Sequence, residues 1–520
     1  MAAQREVIPT VEASNESHEL GELDSQAAIA KTATPEIVIA LCGPLGTPLH
    51  EVAKEFKSLL SSSDYGYESV NVIRLSSEIR KQAGIPETEH SINQLIEAGN
   101  TLRKSKGNRI LASLAVRQIA LHRENIQQES NKDIPKTVGG ETIPTVTPKT
   151  CHIIDSIKHI EELELLRSIY GNMLHVIGVY SPIEVRVQKL ERIKGPKDQI
   201  HELIDRDSGE ELGHGQQVGD TFPQADFFMR IDSGTDSQRK DRARRFLDLM
   251  LGTKIITPTI AERAMYTAFS AARNSACLSR QVGASITNQS GEILATGWND
   301  VPRPFGGLYE SIDIGTTTDN DHRCWNKDGG HCFNDSEKNK IADAVVDKLI
   351  EKRIIAEEKK TEAFAVIRKD SQLKTLIEFS RAVHAEMHAL LSAGSTKGDQ
   401  IKGGKLFVTT YPCHSCARHI VAAGVSEVYF LEPYRKSLAT KLHDDALTEQ
   451  ESDGKKVRII PFDGVAPSRY LSFFSTGVNG RKNKEGKMQL SPAFPVTAPT
   501  IEAVATLEGI VVKRLQSLDQ

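Results

Sequence analysis

His384-Ala385-Glu386 is followed, 29 residues after its histidine, by Pro412-Cys413-His414-Ser415-Cys416. Two cysteines three apart on a helix project to the same side, so both thiolates can meet one ion. Pro412 suits a helix start, because its missing N–H costs little there. A helix N-terminus also favours thiolate over thiol. With His384 as third ligand, the set is one His and two Cys around an open fourth position, the pattern of a catalytic rather than a structural zinc. Glu386 is not needed as a ligand, which leaves it free for acid/base work.

Other readings of the same residues are blander. Cys-x-x-Cys alone is often a structural zinc half-site or a redox pair, and His384 alone would be an ordinary helix histidine. His388 stands four after His384, as in His-Glu-x-x-His proteases, but here the Glu lies two after the first His, so that motif fails.

At 520 residues the chain exceeds one ordinary core, so two or more domains are expected. A formal charge of −4 gives no general drive toward nucleic acid or membrane surface. No apolar run is long enough to span a bilayer, and the N-terminus lacks the order of a signal peptide. Seven cysteines over this length make a secreted disulfide framework improbable, so the expected address is the cytoplasm and clustered Cys should bind metal.

Residues 1–34 are polar and without a clear period and read as a mobile tail. Ile37-Val38-Ile39-Ala40-Leu41 is the continuous apolar run of a buried parallel strand. It leads through Gly43-Pro44-Leu45-Gly46-Thr47 into an amphipathic segment, Val52 to Leu60. A strand at Ser69–Leu75, helices to about 125, and a Pro/Thr/Gly/Lys-rich loop over 126–150 follow. A strand ending at Asp155, a helix at Ile160–Ile169 and a strand at Met173–Tyr180 continue a βα alternation, which implies a parallel sheet flanked by helices. A charged helix, Arg239–Met250, closes this half near 255. Beyond it the expected elements are a helix (Thr259–Ala276), strands at Val282–Thr287 and Ile293–Gly297, and a helix at His384–Ser392. A strand at Leu406–Thr410, a helix from Cys413 and a strand at Glu427–Leu431 complete the series.

His-x-Glu…Pro-Cys-x-x-Cys is the signature order of zinc deaminases. Further stretches match in order and spacing: Ser275-Ala276-Cys277, Gln281-Val282-Gly283-Ala284, Ile293 to Asn299, Pro302, and Gly404 to Thr409. From Ala271 to Leu431 the chain therefore resembles the deoxycytidylate deaminase branch of the cytidine deaminase superfamily. The resemblance implies a mixed five-stranded sheet with helices on both faces and the zinc between two helix N-termini. It implies that Asn299 hydrogen-bonds the sugar, the Ala385 backbone meets the base, and Arg303 meets a phosphate. Where the family usually has Asn, His388 follows Met387, which bears on substrate contacts rather than on metal chemistry.

The whole chain resembles bacterial two-domain anti-phage deoxycytidylate deaminases. The fold class expected is α/β: an N-terminal P-loop-kinase-like parallel-sheet domain plus a C-terminal cytidine-deaminase-like α/β/α sandwich with a mixed sheet. The units read as 35–255 (degenerate nucleotide-binding domain), 256–475 (zinc deaminase) and 476–520 (C-terminal extension). The resemblance further implies deamination of dCTP and dCMP, depletion of dCTP against phage, a homo-oligomer, and restraint by a small non-coding RNA.

In the N-terminal unit, Gly43, Gly46 and Thr47 sit where a phosphate-cradling loop should be, but Leu49 and His50 replace its Lys and Ser/Thr. The β- and γ-phosphates thus lose their positive partner and Mg²⁺ a ligand. Backbone amides could still bind a regulatory nucleotide. Asp155 ends a strand as a Walker-B carboxylate would, and Arg186, Arg192 and Arg206 resemble a kinase lid. A structural glycine turn with solvated arginines and an active kinase are the alternatives.

Asp321-His322-Arg323-Cys324 and His331-Cys332 hold two Cys and two His, the makings of a second, structural zinc near Cys324/Cys332. Neighbours His331 and Cys332 cannot both easily reach one ion, and a substrate lid with reduced thiols is the alternative. The functional expectation is a free-nucleotide deaminase of deoxycytidine nucleotides. Its rivals are a polynucleotide cytosine deaminase, disfavoured by 5% aromatics and slight negative charge, and a non-catalytic nucleotide- or RNA-responsive switch, disfavoured by an intact Glu386.

Overall fold

The computed structural model describes residues 34–86, 92–130, 137–138, 141–142, 148–192, 200, 215–232, 236–311, 321–433, 437–476, 481–482, 485–488, 493–495 and 501–518. The tail expected over 1–34 (Thr34 apart), much of the 126–150 loop, Arg206 and parts of the 476–520 extension lie outside the described residues.

The first half begins with β1 (Ile37–Cys42), whose six residues are all buried. Apolar side chains on both faces mark a strand covered on both sides. Helix α1 (Leu49–Leu60) turns Leu49, Val52, Phe56 and Leu59 onto that sheet. There follow β2 (Ser69–Arg74), α2 (Leu75–Ala83), α3 (Ile92–Lys106) and α4 (Ile110–Ser130). A hairpin of β3 (Thr137–Val138) and β4 (Glu141–Thr142) precedes β5 (Thr150–Asp155). Next come α5 (Ile160–Tyr170), β6 (Leu174–Tyr180), α6 (Ile183–Arg192), β7 (Phe227–Arg230) and α7 (Asp236–Met250). A capping box of His159 and Glu162 fixes the start of α5.

The second half runs α8 (Ile260–Ala272), β8 (Gly283–Thr287), β9 (Ile293–Trp298), α9 (Phe333–Glu351) and α10 (Ala385–Lys397). It continues with β10 (Lys405–Thr410), α11 (His414–Ala422), β11 (Glu427–Glu432), β12 (Leu447–Thr448), β13 (Val457–Pro461), β14 (Gly464–Val465) and α12 (Ile501–Leu518).

The two principal sheets have six strands each. The first runs β14-β7-β6-β1-β5-β2 and is parallel except at β14. The second runs β12-β13-β11-β10-β8-β9; its β8 pairs antiparallel with β9 and β10, and the rest pair parallel. The five-stranded mixed sheet that was expected gains one strand, the two-residue edge β12. Both halves have the mixed α/β character read from the sequence.

The halves interlock. β14 comes from the stretch read as deaminase, yet it pairs with β7 of the first sheet. Buried Glu262, in the first turn of α8, accepts from Val465 N at 2.9 Å and from Arg245 of α7 at 2.6 Å. Helix α12 lies on α4, where Arg123 joins Glu36 at the head of β1 (2.6 Å) to Glu508. Three charges share that dry site, so each one compensates the desolvation of another. Among the described residues no helix is long and apolar enough to cross a membrane.

Candidate metal centre and catalytic cavity

The centre rests on one close approach. Strand β9 carries Gly297 where α10 crosses it, and a Cβ there would collide with the Ala385 carbonyl oxygen and the Ala389 nitrogen. Only glycine lets the helix start lie this low on the sheet.

His384 is the residue capping α10, in extended conformation, and Cys413 caps α11. Two helix N-termini therefore converge on one point. His384 Nδ1 lies 3.4 Å from Cys413 Sγ and 3.3 Å from Cys416 Sγ. Cys416 N–H also donates to Cys413 Sγ at 3.4 Å. One ligand atom from each of His384, Cys413 and Cys416 falls within 4.8 Å of the others, the only such group of three or more among the described residues. Zinc–nitrogen and zinc–sulfur bonds of about 2.0 and 2.3 Å at tetrahedral angles put N and S about 3.5 Å apart. The donor set fits that ion.

Hydrogen bonding from Cys416, and then from His384, draws the Cys413 thiol down against burial, while Cys416, bonded to it, is pushed up. Glu386 sits one residue into α10 with 4% exposure. Burial pushes its carboxyl up, and the His384 charge opposes that. A carboxyl whose affinity for protons is raised is suited to accept and return them.

A cavity of about 500 Å³ opens over this group, lined by His384, Ala385, Glu386, Cys413, Asn299 and Tyr411 among others. That volume is in the range of small-molecule sites. Asn299 is buried; its Oδ1 accepts from Val282 N–H at 2.7 Å and its Nδ2 donates to Arg280 O at 2.8 Å. Each end keeps capacity for one more bond. Ala385 is fully buried on the cavity wall. Arg303 is exposed in the loop after β9, donates to Gly306 O at 2.9 Å, and is outside the cavity lining. His388 takes the Trp298 amide on Nδ1 at 3.2 Å, tying α10 to the end of β9 rather than joining the metal group.

The other candidates lie apart. Gly46 (φ 86°) packs on the Arg186 backbone, where a Cβ would meet the carbonyl oxygen at 2.9 Å, and Gly43 backs onto the Val179 carbonyl. The Thr47 hydroxyl is buried with no hydrogen-bond partner among the described residues. His50, in the place of the missing loop hydroxyl, pairs with Asp155 at 3.5 Å and also meets Arg74. Cys324 and Cys332 both line the catalytic cavity. They form no group of three ligands with His322 or His331.

Several residues carry structure that spacing alone did not assign. Ser275 Oγ donates to the Asn299 carbonyl at 2.6 Å, and Gln281 Nε2 to the Ser275 carbonyl at 2.8 Å, so these two side chains brace the rim. Asp300 takes the Ala276 amide at 2.9 Å. Ser275 and Gln281 stood in the matched stretches without their partners, and Asp300 fell just outside them.

Residues 258–432 match the model of the cytidine and deoxycytidylate deaminase zinc-binding region. The match covers about a third of the chain and includes His384, Glu386, Cys413 and Cys416. Among curated relatives, ComE operon protein 2 of Bacillus subtilis (strain 168) is 41% identical over 56 residues, 11% of this chain and 29% of that protein. The chain thus spans under a third of that relative's length. UPF0200 protein LS215_1277 of Saccharolobus islandicus (strain L.S.2.15 / Lassen #1) is 24% identical over 216 residues, 41% of this chain and 94% of that protein. Its homology is to the N-terminal, P-loop-kinase-like part. A solved dCMP deaminase from cyanophage S-TIM5, in complex with dCMP and dUMP, is 22% identical over 40% of this chain and 99% of its own, with a TM-score of 0.23.

Proposed function

We propose that the chain hydrolyses the exocyclic amine of cytosine in free deoxycytidine nucleotides, dCMP or dCTP, to give deoxyuridine nucleotides and ammonia. The observation that supports this most is the His384/Cys413/Cys416 group beside buried Glu386, at the wall of a cavity of about 500 Å³ within the deaminase-family region.

His384 Nδ1 and the thiolates of Cys413 and Cys416 would hold zinc. Bound there, the ion would supply the Lewis acidity that makes water a nucleophile at neutral pH. Glu386 takes a proton from the attacking water and delivers it to ring N3 as oxygen adds to C4. It then carries the second proton to the amine, the C4–N bond breaks, and ammonia leaves. Asn299, at the cavity wall, offers its remaining amide capacity to the sugar, and the Ala385 backbone meets the base. In a bacterial cell this turnover would lower dCTP and starve phage replication. That role, oligomer formation, nucleotide regulation through Gly43–Thr47 and restraint by a small RNA rest on the family resemblance.

Ammonia release by zinc-analysed protein from dCMP, dCTP, cytidine and single-stranded DNA tests the reading. Turnover of dCMP or dCTP is the expected result. Turnover of single-stranded DNA alone would replace it.

A further inference from the structure

The insertion between β9 and α10 forms one wall of the catalytic cavity, and that wall is cationic. Lys338 on α9, Lys374 and Arg381 all line it. Lys338 is only 5% exposed, and its Nζ donates to the Lys374 carbonyl at 3.0 Å. Arg381 donates to the His322 carbonyl at 3.0 Å, with its guanidinium 5.0 Å from the centre of the Phe333 ring. Among the described residues none of the three is in an ion pair. The wall's own acid, Asp335, pairs with Arg368 at 2.5 Å, and its charge is shared with Lys338. The Lys374 carbonyl takes one N–H of Lys338 and leaves two; the His322 carbonyl and the Cys324 sulfur, 4.0 Å away, take two of Arg381 and leave three. Lys338 is the buried one of the three, and a buried cation that shares its one nearby acid gains from an anionic ligand.

We propose that Lys338 and Arg381, aided by Lys374, hold the 5′-polyphosphate of the nucleotide whose base reaches Glu386, so that the chain prefers a deoxynucleoside triphosphate to the monophosphate and the free nucleoside. Three cations match a triphosphate better than a monophosphate. Arg381 stands three residues before His384, so the phosphate clamp and the metal ligand share one segment. Arg303, the residue that resemblance nominated for phosphate, lies outside this cavity. The inference rests on the proposed reaction, and its test separates the two.

Calorimetry of the full chain with dUTP, dUMP and deoxyuridine, which lack the reacting amine, is run beside turnover of dCTP, dCMP and deoxycytidine. The expected order of affinity is dUTP, then dUMP, then deoxyuridine, with at least tenfold between the first and last. Lys338→Met and Arg381→Met should each weaken dUTP tenfold or more and leave deoxyuridine within twofold. KM for dCTP should rise with little change in kcat. Lys338→Arg, which keeps the charge and a donor for the Lys374 carbonyl, should restore dUTP binding. Equal affinity for dUTP and deoxyuridine, or Met variants that weaken both alike, would overturn the assignment. If dUTP binding depends on these cations while no cytosine is turned over, the clamp stands and the reaction falls. If dCTP is turned over with KM unmoved in the variants, the reaction stands and the clamp falls.

Discussion

The Tyr411 hydroxyl donates to Glu449 Oε1 at 2.8 Å. Tyr411 lines the catalytic cavity next to Pro412, and Glu449 directly follows β12. The same carboxylate bears on Tyr180, the last residue of β6, whose phenol is pushed up to about 12 by burial and then by Glu449. Arg186 lies 6.0 Å over the Tyr180 ring and forms the floor against Gly46. The Glu449 charge thus bears on both Tyr411, beside the cysteine turn, and Tyr180, beside the glycine turn. Tyr411→Phe removes a bond to a charged acceptor and should cost about 1–2 kcal/mol, with zinc content unchanged. Denaturant melts and metal analysis check both.

Glu386→Gln keeps the shape of the side chain and removes its proton affinity. Turnover should fall on the order of 10²–10⁴-fold, while the protein still binds one equivalent of zinc, because none of the ligand atoms is altered. Loss of zinc together with activity would mean that Glu386 supports the metal rather than the chemistry.

Gly297→Ala places a methyl group against the Ala385 carbonyl and the Ala389 amide. Backbone cannot move aside as a side chain tip would, so α10 must lift from β9. Overpacking of this kind costs about 1–3 kcal/mol. Since His384 caps the displaced helix, zinc affinity should drop as well, read by competition with a chromophoric chelator.

His175, on β6, is buried beside Phe246 and Phe473 (ring centres 6.0 and 6.2 Å away), and neither ring nitrogen has a hydrogen-bond partner among the described residues. Burial lowers it to about 4; Asp226 opposes the shift and Arg469 reinforces it. The unfolded chain takes up this proton near pH 6.5, before the folded chain does. The neutral ring therefore contributes stability in full above about pH 6.5, and the contribution is lost as pH falls toward 4. Its size is on the order of 3 kcal/mol. In His175→Leu the slope of stability against pH between 6.5 and 4 should flatten, measured by urea melts at each pH.

Most of what positions the metal centre was legible because it is local. Apolar runs such as Ile37–Leu41 and Leu406–Thr410 declare strands, and the Cys413/Cys416 spacing declares a helix start. The observed strands and helices at these places fall within a few residues of the expected ones. What escaped was non-local. Strand β14 has two residues, so no periodicity can reveal it; only its partner β7 makes it a strand. Helix α12 gains its place from the Arg123–Glu508 contact and from packing on α4, neither of which shows in the text of residues 501–518. Lys338 and Arg381 stand in no motif that the order of residues reveals. It takes the fold to bring them to the same cavity as Glu386.

Strand β14 also gives the chain a chronology. When β7 leaves the ribosome, the strand that will cover its outer edge has not been translated, and the entire second sheet is made in the interval. An uncovered edge is a template for stray pairing. A nascent chain arrested before Gly464 should bind general chaperones, and one extended past Val465 and clear of the exit tunnel should release them. The last short strand acts as a clasp that closes only when synthesis of both sheets is complete.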